Sequence, residues 1–408
     1  MTYYEIKKIF SMKRSKAALV ILMGFVLLFL QFSIGATFYV NENGQEEYGP
    51  TAVAKLRELK KAWAGDLTEE KIRKVISENV RISQTPEALS SDVRQNNIAF
   101  SMKQGLMDIR NLLVYSYGSF NEYDYYLPDS LSPDQAGSFY SNRVEHLREW
   151  LNTEAENQFS HKEKAYLISR YEKLETPLFY DYQGGWRELF QYLPGLIMIL
   201  TLVLGFLCAG IFSVEFQQKA GAVFFSSRYG RTRGTAAKIR AGLIVVTLFY
   251  WGFVLLYTGL VFGIFGADGA DCPIQTSSGG WKSIYDLTNG QEYLLIVLGG
   301  YLGCLFVLLL TMWVSAKTNS SVIALLVPFV LVLLPSFLSG TSIQLLNKGL
   351  GLLPDQLLRL NEAVNQFNLY EIGGRVMPSA PILIVVYLIL TGILVPVLYK
   401  TYRHKQVF

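Results

Sequence analysis

Six stretches without a charged side chain, each long enough to cross a bilayer, constrain this chain more than any other feature: residues 17–40, 192–214, 241–267, 293–316, 320–347 and 376–399. A helix spanning the hydrocarbon core needs roughly 20 predominantly apolar residues. In a water-soluble domain the apolar positions would recur as stripes at helix or strand period. Here they arrive in blocks, within a chain of 408 residues that is 51% hydrophobic and has a mean hydropathy of +0.25. Six such blocks as core helices of one soluble domain would fall outside ordinary composition. The expected fold class is an all-α membrane protein with six transmembrane helices. A mainly helical extracellular domain, residues 41–190, is inserted between the first two.

The first block follows Lys7, Lys8, Lys13, Arg14 and Lys16, as a signal peptide would. A signal peptide's apolar core is about 7–15 residues long, and this run is longer, so it reads as a retained span. Short connectors rich in Lys and Arg stay on the cytoplasmic side. The N-terminus, the 215–240 connector, the turn at 317 and the tail after 399 hold 15 of the 37 basic residues and 2 of the 33 acidic ones. Both termini are therefore expected in the cytoplasm and the acidic surplus outside. Cys208 and Cys304 fall inside spans, and Cys272 falls in an outer loop, where it cannot form an intramolecular disulfide and offers a natural maleimide probe.

Along the chain, residues 1–16 place Tyr3, Ile6, Ile9 and Phe10 on one helical face, as in an interfacial helix, with a disordered basic tail as the alternative. In the 41–190 segment Thr68 is placed to cap a helix that opens with acids. Val144, Leu147 and Leu151 share a face, as do Leu167, Tyr171 and Leu174, and Pro177 closes the second of these segments. Tyr180, Tyr182 and Trp186 suit an outer aromatic belt. The tyrosine-rich run 115–126 reads as aromatic packing around a turn, with a sticky surface for an amphiphile as the alternative. In the outer connector 348–375, Leu353, Leu357 and Leu360 recur at helical spacing.

Enzyme chemistry has little to stand on. His146, His161 and His404 lack zinc-type partners, and no nucleophile elbow or phosphate-binding loop of the Walker kind occurs. The apolar blocks hold no carboxylate of the sort that proton- or sodium-driven transport uses. Any work done by this chain would draw on a partner's energy.

The connector between the second and third blocks, "EFQQKAGAVFFSSRYGRTRG" (215–234), is different. Phe216, Ala220, Val223 and Phe224 share a helical face, Gly230 and Gly234 interrupt the stretch after it, and Thr235 is placed to cap the third span. An apolar face with Arg228, Arg231 and Arg233 at its rim has the composition of a docking surface. It equally suits a basic connector resting on anionic lipid headgroups.

The stretch 212–242 resembles the first cytoplasmic loop of permease subunits of type-two ABC exporters, including bacterial antibiotic- and bacteriocin-export permeases. The positions that carry the resemblance are Glu215, Gly221, Ser227, Arg228 or Arg231, and Lys238. "SSRYGR" and "TPLFYDYQGGW" (176–186) resemble Gram-positive versions. The resemblance implies a six-span subunit of a bacterial cytoplasmic membrane, dimerised with an identical or sister permease on two ATPase subunits. It implies an ATPase-coupling loop at 215–238, formed by Glu215, Phe216, Gly221, Phe224, Ser227, Arg228, Tyr229, Gly230, Arg231 and Lys238, and re-entrant helices within 348–375. No cofactor would be bound directly, ATP and Mg being used by the partner. Lipid would surround the chain, with no nucleic acid involved. The long segment 41–190 departs from members with short outer loops. The expected function is export of an amphiphilic substrate by alternating access. The alternatives are a membrane-anchored sensor or scaffold with an outer ligand-binding domain and an inner docking loop, and an ABC-linked mechanotransmission protein, which would usually have four spans.

Overall fold

The computed structural model describes residues 1–11, 13–338 and 344–406. Residues 339–343 of the fifth apolar block, Met12 and the last two residues lie outside them. Six segments are long and apolar enough to cross a membrane, as in a multi-pass membrane protein. They belong to the helices α2 (Lys13–Ala36), α10 (Gly184–Cys208), α13 (Thr235–Phe265), α14 (Asn289–Thr318), α15 (Ser321–Leu338) and α19 (Ser379–Arg403). A short helix α1 (Thr2–Ser11) precedes them. Between α2 and α10 come α3 (Pro50–Lys61), α4 (Glu69–Ser83), α5 (Pro86–Leu89), α6 (Val93–Lys103), α7 (Met107–Tyr117), α8 (Phe139–Asn152) and α9 (His161–Glu172).

The long helices pack through small residues and aromatics. A Cβ on Gly242 would meet Met312 Sδ at 2.5 Å, one on Gly205 would meet Pro328 Cγ at 2.6 Å, and one on Gly300 would meet Tyr250 Oη at 2.7 Å. Close approach of this kind substitutes for a hydrophobic driving force that lipid does not supply. Leu193, Ile197, Leu200 and Leu204 of α10, Val246, Tyr250, Tyr257 and Val261 of α13, and Cys304, Leu308 and Met312 of α14 form the bundle core. The outward faces of α2, α15 and α19 stay apolar, exposing Val20, Leu27, Phe32, Val322, Leu326, Phe337, Leu388 and Ile393. Such a surface suits a hydrocarbon solvent.

Two long helices extend past their uncharged blocks. α10 begins at Gly184 and includes Arg187 and Glu188. α14 begins after a Thr288–Gln291 capping box and buries Glu292. Glu188 and Glu292 are buried in protein, while Arg187 stays exposed and pairs with Glu188 at 3.3 Å.

The polar residues between α2 and α10 form a helical domain at one end of the bundle. Thr68 caps α4 as expected, its Oγ1 accepting from the Lys71 N–H at 3.3 Å. Ile72, Val75 and Ile76 of α4 meet Ile109, Leu112 and Leu113 of α7 and Phe139 of α8 in one core. Leu147, Leu151, Leu167 and Tyr171 form a second. Val144 and Leu174 are only half-buried. The α13–α14 connector enters both cores, with Trp281 in the first and Ile284 in the second. Arg143 holds that connector: its Nε donates to Trp281 O at 3.0 Å and its Nη2 to Ser283 O at 2.9 Å, with the guanidinium over the Tyr171 ring at 3.7 Å. Arg57 and Lys61 of α3 add ion pairs to Asp268 at 2.5 and 2.8 Å.

Three aromatics leave the place expected for them. Tyr180, Tyr182 and Trp186 are buried in protein rather than set in a belt. Tyr180 donates to Asp108 Oδ2 at 3.0 Å and Trp186 Nε1 to Asp268 O at 2.9 Å, so their polar tips are used inside the junction. In the tyrosine-rich run, Phe120 stacks on Trp150 with ring centroids 4.7 Å apart, while Tyr123, Tyr125 and Tyr126 stay exposed. Cys272 is fully buried, its Sγ accepting from the Asp181 N–H at 3.1 Å. Burial pushes the thiol up to about 12. It is therefore not the probe its loop position suggested. All three native thiols are buried, and we expect none to react with a maleimide before unfolding, whereas Ser278→Cys, at an exposed position of the same connector, labels in minutes. Mass-shift gels of the native and denatured protein check this.

The α15–α19 connector carries α16 (Gln344–Leu350), α17 (Asp355–Leu358), α18 (Leu360–Asn365) and a hairpin of Leu369–Ile372 with Arg375–Pro378. Leu357 and Leu360 are buried, and Leu353 is half-buried. A Cβ on Gly299 would meet Leu360 Cδ1 at 2.0 Å, and one on Gly303 would meet Leu357 Cβ at 2.9 Å. α17 and α18 thus reach the middle of α14, folding back between the long helices.

Candidate functional site

At the end of the bundle away from the polar domain, the α10–α13 connector is two short helices rather than one. α11 (Val214–Gln217) and α12 (Gly221–Ser226) are separated at Lys219, whose φ of 56° is left-handed. That break rotates the second helix. Phe225 turns inward and is buried while Val223 is exposed, the reverse of a continuous helical face. Phe224 and Phe225 pack with Phe212, Phe216 and Tyr402, and the Phe212–Tyr402 and Phe225–Tyr402 centroids are 4.7 and 5.0 Å apart.

Gly230 and Gly234 do not interrupt the chain. Gly230–Gly234 is a π-helical turn that runs directly into α13. Its glycines are required by close approach, since a Cβ on Gly230 would lie 1.8 Å from Phe224 O and one on Gly234 2.9 Å from Phe224 Cζ. Gly221 faces the Phe216 ring, 3.3 Å from where a Cβ would stand. Thr235 is the first residue of α13 rather than its cap. Its Oγ1 donates back to Gly230 O at 3.3 Å and Arg231 O at 3.1 Å. Ser227, exposed, donates to Phe224 O at 2.7 Å and closes α12.

Beneath these helices lies a buried polar knot. Lys238 Nζ, with no exposed side-chain surface, donates to Glu215 Oε1 at 2.6 Å, to Glu5 Oε2 at 3.1 Å and to Ile211 O at 2.9 Å. Lys8 Nζ reaches the same Glu215 oxygen at 2.6 Å. Two ammonium groups and two carboxylates balance, which is what makes burying them tolerable. Burial alone would push the Glu215 carboxyl up, but Lys238 and then Lys8 hold it below its ordinary range. α1 is accordingly a strut. Ile9 is buried, Ile6 and Phe10 pack on the bundle, and Phe10 meets Phe249 at 5.3 Å, while Tyr3 is exposed instead of sharing that face.

The arginines separate into two kinds. Arg231 turns inward, its Nη1 donating to Arg403 O at 3.1 Å and Lys405 O at 2.8 Å, so it caps the end of α19. Arg228 and Arg233 are exposed and flank the Tyr229 ring, 5.2 and 4.6 Å from its centroid. Lys405 donates to the carbonyls of Ala316 and Lys317 at the end of α14, and Gln217 Nε2 donates to Ser321 Oγ at the start of α15, 2.8 Å away. The ten expected residues therefore form one contiguous element. Glu5, Lys8, Phe225, Tyr402 and Lys405 complete it. Only Lys8 and Lys405 gave any sequence signal, each as one basic residue among several.

Among the described residues of this element there is no nucleophile–base pair. No group of three His, Cys, Asp or Glu able to hold a metal occurs among the described residues. Compared with family models, curated proteins and solved structures, the chain matches none.

Proposed function

We propose that this chain is the permease subunit of an ATP-driven exporter of the type-two ABC kind, and that residues 215–238 receive the push of a partner ATPase. The observation that supports this best is mechanical. One surface element is joined by polar pairs or stacked rings to α1, α13, the ends of α14 and α19, and the start of α15. Displacing it moves several spans together, which is what switching a cavity between two sides requires. In this reading the termini and the loop face the cytoplasm of a bacterial cell, and the polar domain lies outside. ATP and Mg act in the partner. A second permease, identical or sister, completes the pathway, through which an amphiphilic cargo passes.

The exposed rim is the contact, so the test is charge reversal at Arg228 and Arg233, leaving the inward Arg231 alone. With the ATPase co-expressed, Arg228→Glu/Arg233→Glu is expected to cut both ATPase recovery and transport-coupled hydrolysis at least tenfold. Thermal unfolding should stay within the roughly 0.5 kcal/mol usual for surface changes. The proposal fails if no ATPase accompanies the chain or if coupling survives the double reversal. Recovery of a kinase on this loop would instead favour the sensor or scaffold reading. Sidedness has its own check. An impermeant maleimide should label Ser278→Cys in intact cells and Ser226→Cys only after permeabilisation.

A further inference from the structure

A cavity of ≈ 360 Å³ opens where the polar domain meets the bundle, at the end opposite the loop just described. Its wall takes Gln183, Trp186, Arg187 and Phe190 from α10 and its cap, Asn289 and Glu292 from α14, and Asn361 and Asn365 from α18. Its size falls at the small end of ligand pockets.

One carboxyl at its wall has no partner among the described residues. Asp108 is paired with Lys60 at 2.7 Å, and Arg187 with Glu188 at 3.3 Å. Glu292, only 3% exposed, makes no ion pair or side-chain hydrogen bond among the described residues, and its Oε1 is a buried orphan. Two more acceptors share that condition. Asn361 uses its Nδ2 on Phe190 O at 3.2 Å, and Asn365 uses its Nδ2 on Asn361 O at 3.0 Å. Those bonds fix which way each amide faces, and both Oδ1 atoms are left buried without a donor among the described residues. Buried polar atoms are nearly always partnered. Three residues that line one cavity each carry an unfilled acceptor, one of them a carboxyl, and such a wall suits a donor that carries positive charge.

We propose that this cavity binds the primary ammonium group of a small amphiphilic ligand, with Glu292, Asn361 and Asn365 as its acceptors. An ammonium offers three donors and one charge, which matches what the wall lacks. Trp186 and Phe190 supply apolar and π surface for the ligand's body. The inference stands on the cavity alone and does not need the permease reading, whose test is ATPase partnership.

The probes are phenethylamine, its N,N,N-trimethyl analogue, which keeps the charge without donors, and phenethyl alcohol, which keeps the ring without charge. Calorimetry on the full chain in detergent is expected to show the amine binding at least tenfold more tightly than either. Glu292→Gln, which keeps the shape, should weaken the amine at least tenfold and leave the alcohol unchanged. Equal binding of the trimethyl analogue, no binding of the amine, or an unchanged amine affinity in Glu292→Gln overturns the proposal. The three-probe comparison on the unsubstituted protein decides even if the variant does not fold. Nanodiscs of phosphatidylethanolamine against phosphatidylcholine identify the source. A lower apparent amine affinity in the first marks a lipid headgroup as occupant, and equal affinities mark a soluble amine.

Discussion

Lys238→Met is expected to destabilise the loop end of the bundle by about 3–5 kcal/mol, the usual cost of removing one partner from a buried ion pair. Among the described residues of the knot, Lys238 alone donates to Glu5, and it shares Glu215 Oε1 with Lys8, whose side chain is 35% exposed. Without it, Glu215 keeps a single half-screened partner, and Ile211 O loses its side-chain donor. Trypsin should then cut at Arg228 or Arg233 under conditions that leave the unsubstituted chain intact. Lys238→Met/Glu215→Met should recover much of the loss, since apolar replacement of both members removes the stranded charge. Acid makes an independent readout. Glu215 has a depressed folded-state value, so its stabilisation is fully present above its ordinary value of 4.5 and is lost as pH falls through the lower folded one. In Lys238→Met the burial effect is less opposed, the folded value moves back toward 4.5, and the acid-dependent loss should be smaller. A loss under about 1 kcal/mol, with an unchanged acid profile, would show that the knot does not hold the loop.

The six long helices were legible because absence of charge over a bilayer's thickness is a local property. Their ends were not. Arg187, Glu188 and Glu292 look like stops in sequence, yet the helices run through them, with Glu188 and Glu292 buried in protein and Arg187 exposed. Inside the loop, Glu215, Gly221, Gly230 and Lys238 were identifiable as residues with a role, but not what they do. A non-glycine residue in left-handed conformation at Lys219 gives no sequence signal, and that single torsion exchanges Phe225 for Val223 in the core. Three arginines within six residues read alike. Only the position of α19's last turn, some 170 residues away, makes Arg231 a cap and leaves Arg228 and Arg233 outside. Glu5 and Lys8 were equally invisible as partners of residues more than 200 positions distant. Local pattern could place elements. It could not say which polar residues pair across the fold, and the candidate site consists largely of such pairs.

The same long-range logic governs the polar domain, and Arg143→Ala is expected to uncouple it from the bundle. Arg143 is buried without a carboxylate partner among the described residues. Burial pushes its guanidinium down from its ordinary value, and only the neighbouring Tyr171 opposes this. The charge is tolerated because two carbonyls of the α13–α14 connector accept from it and because it lies over the rings of Tyr171 and Trp281, 3.7 and 5.7 Å from their centroids. Alanine leaves Trp281 O without its side-chain donor at about 1–3 kcal/mol, leaves Ser283 O only the Gln275 Nε2 at 3.3 Å, and opens a void beside two large rings. We expect at least about 3 kcal/mol in total on these magnitudes. Arg143→Lys should rescue little, because an ammonium cannot lie flat on a ring while reaching two carbonyls in a fixed fork. The loss should be local. Amide exchange should quicken around Trp281–Ile284, where Arg170 Nε to Ile284 O at 3.0 Å and Tyr171 Oη to Lys282 O at 2.7 Å are among the ties that remain. Exchange in the Glu215–Lys238 region should stay as it was. If both ends loosen together, the domain and the loop belong to one cooperative unit, and the connector is not the hinge between them.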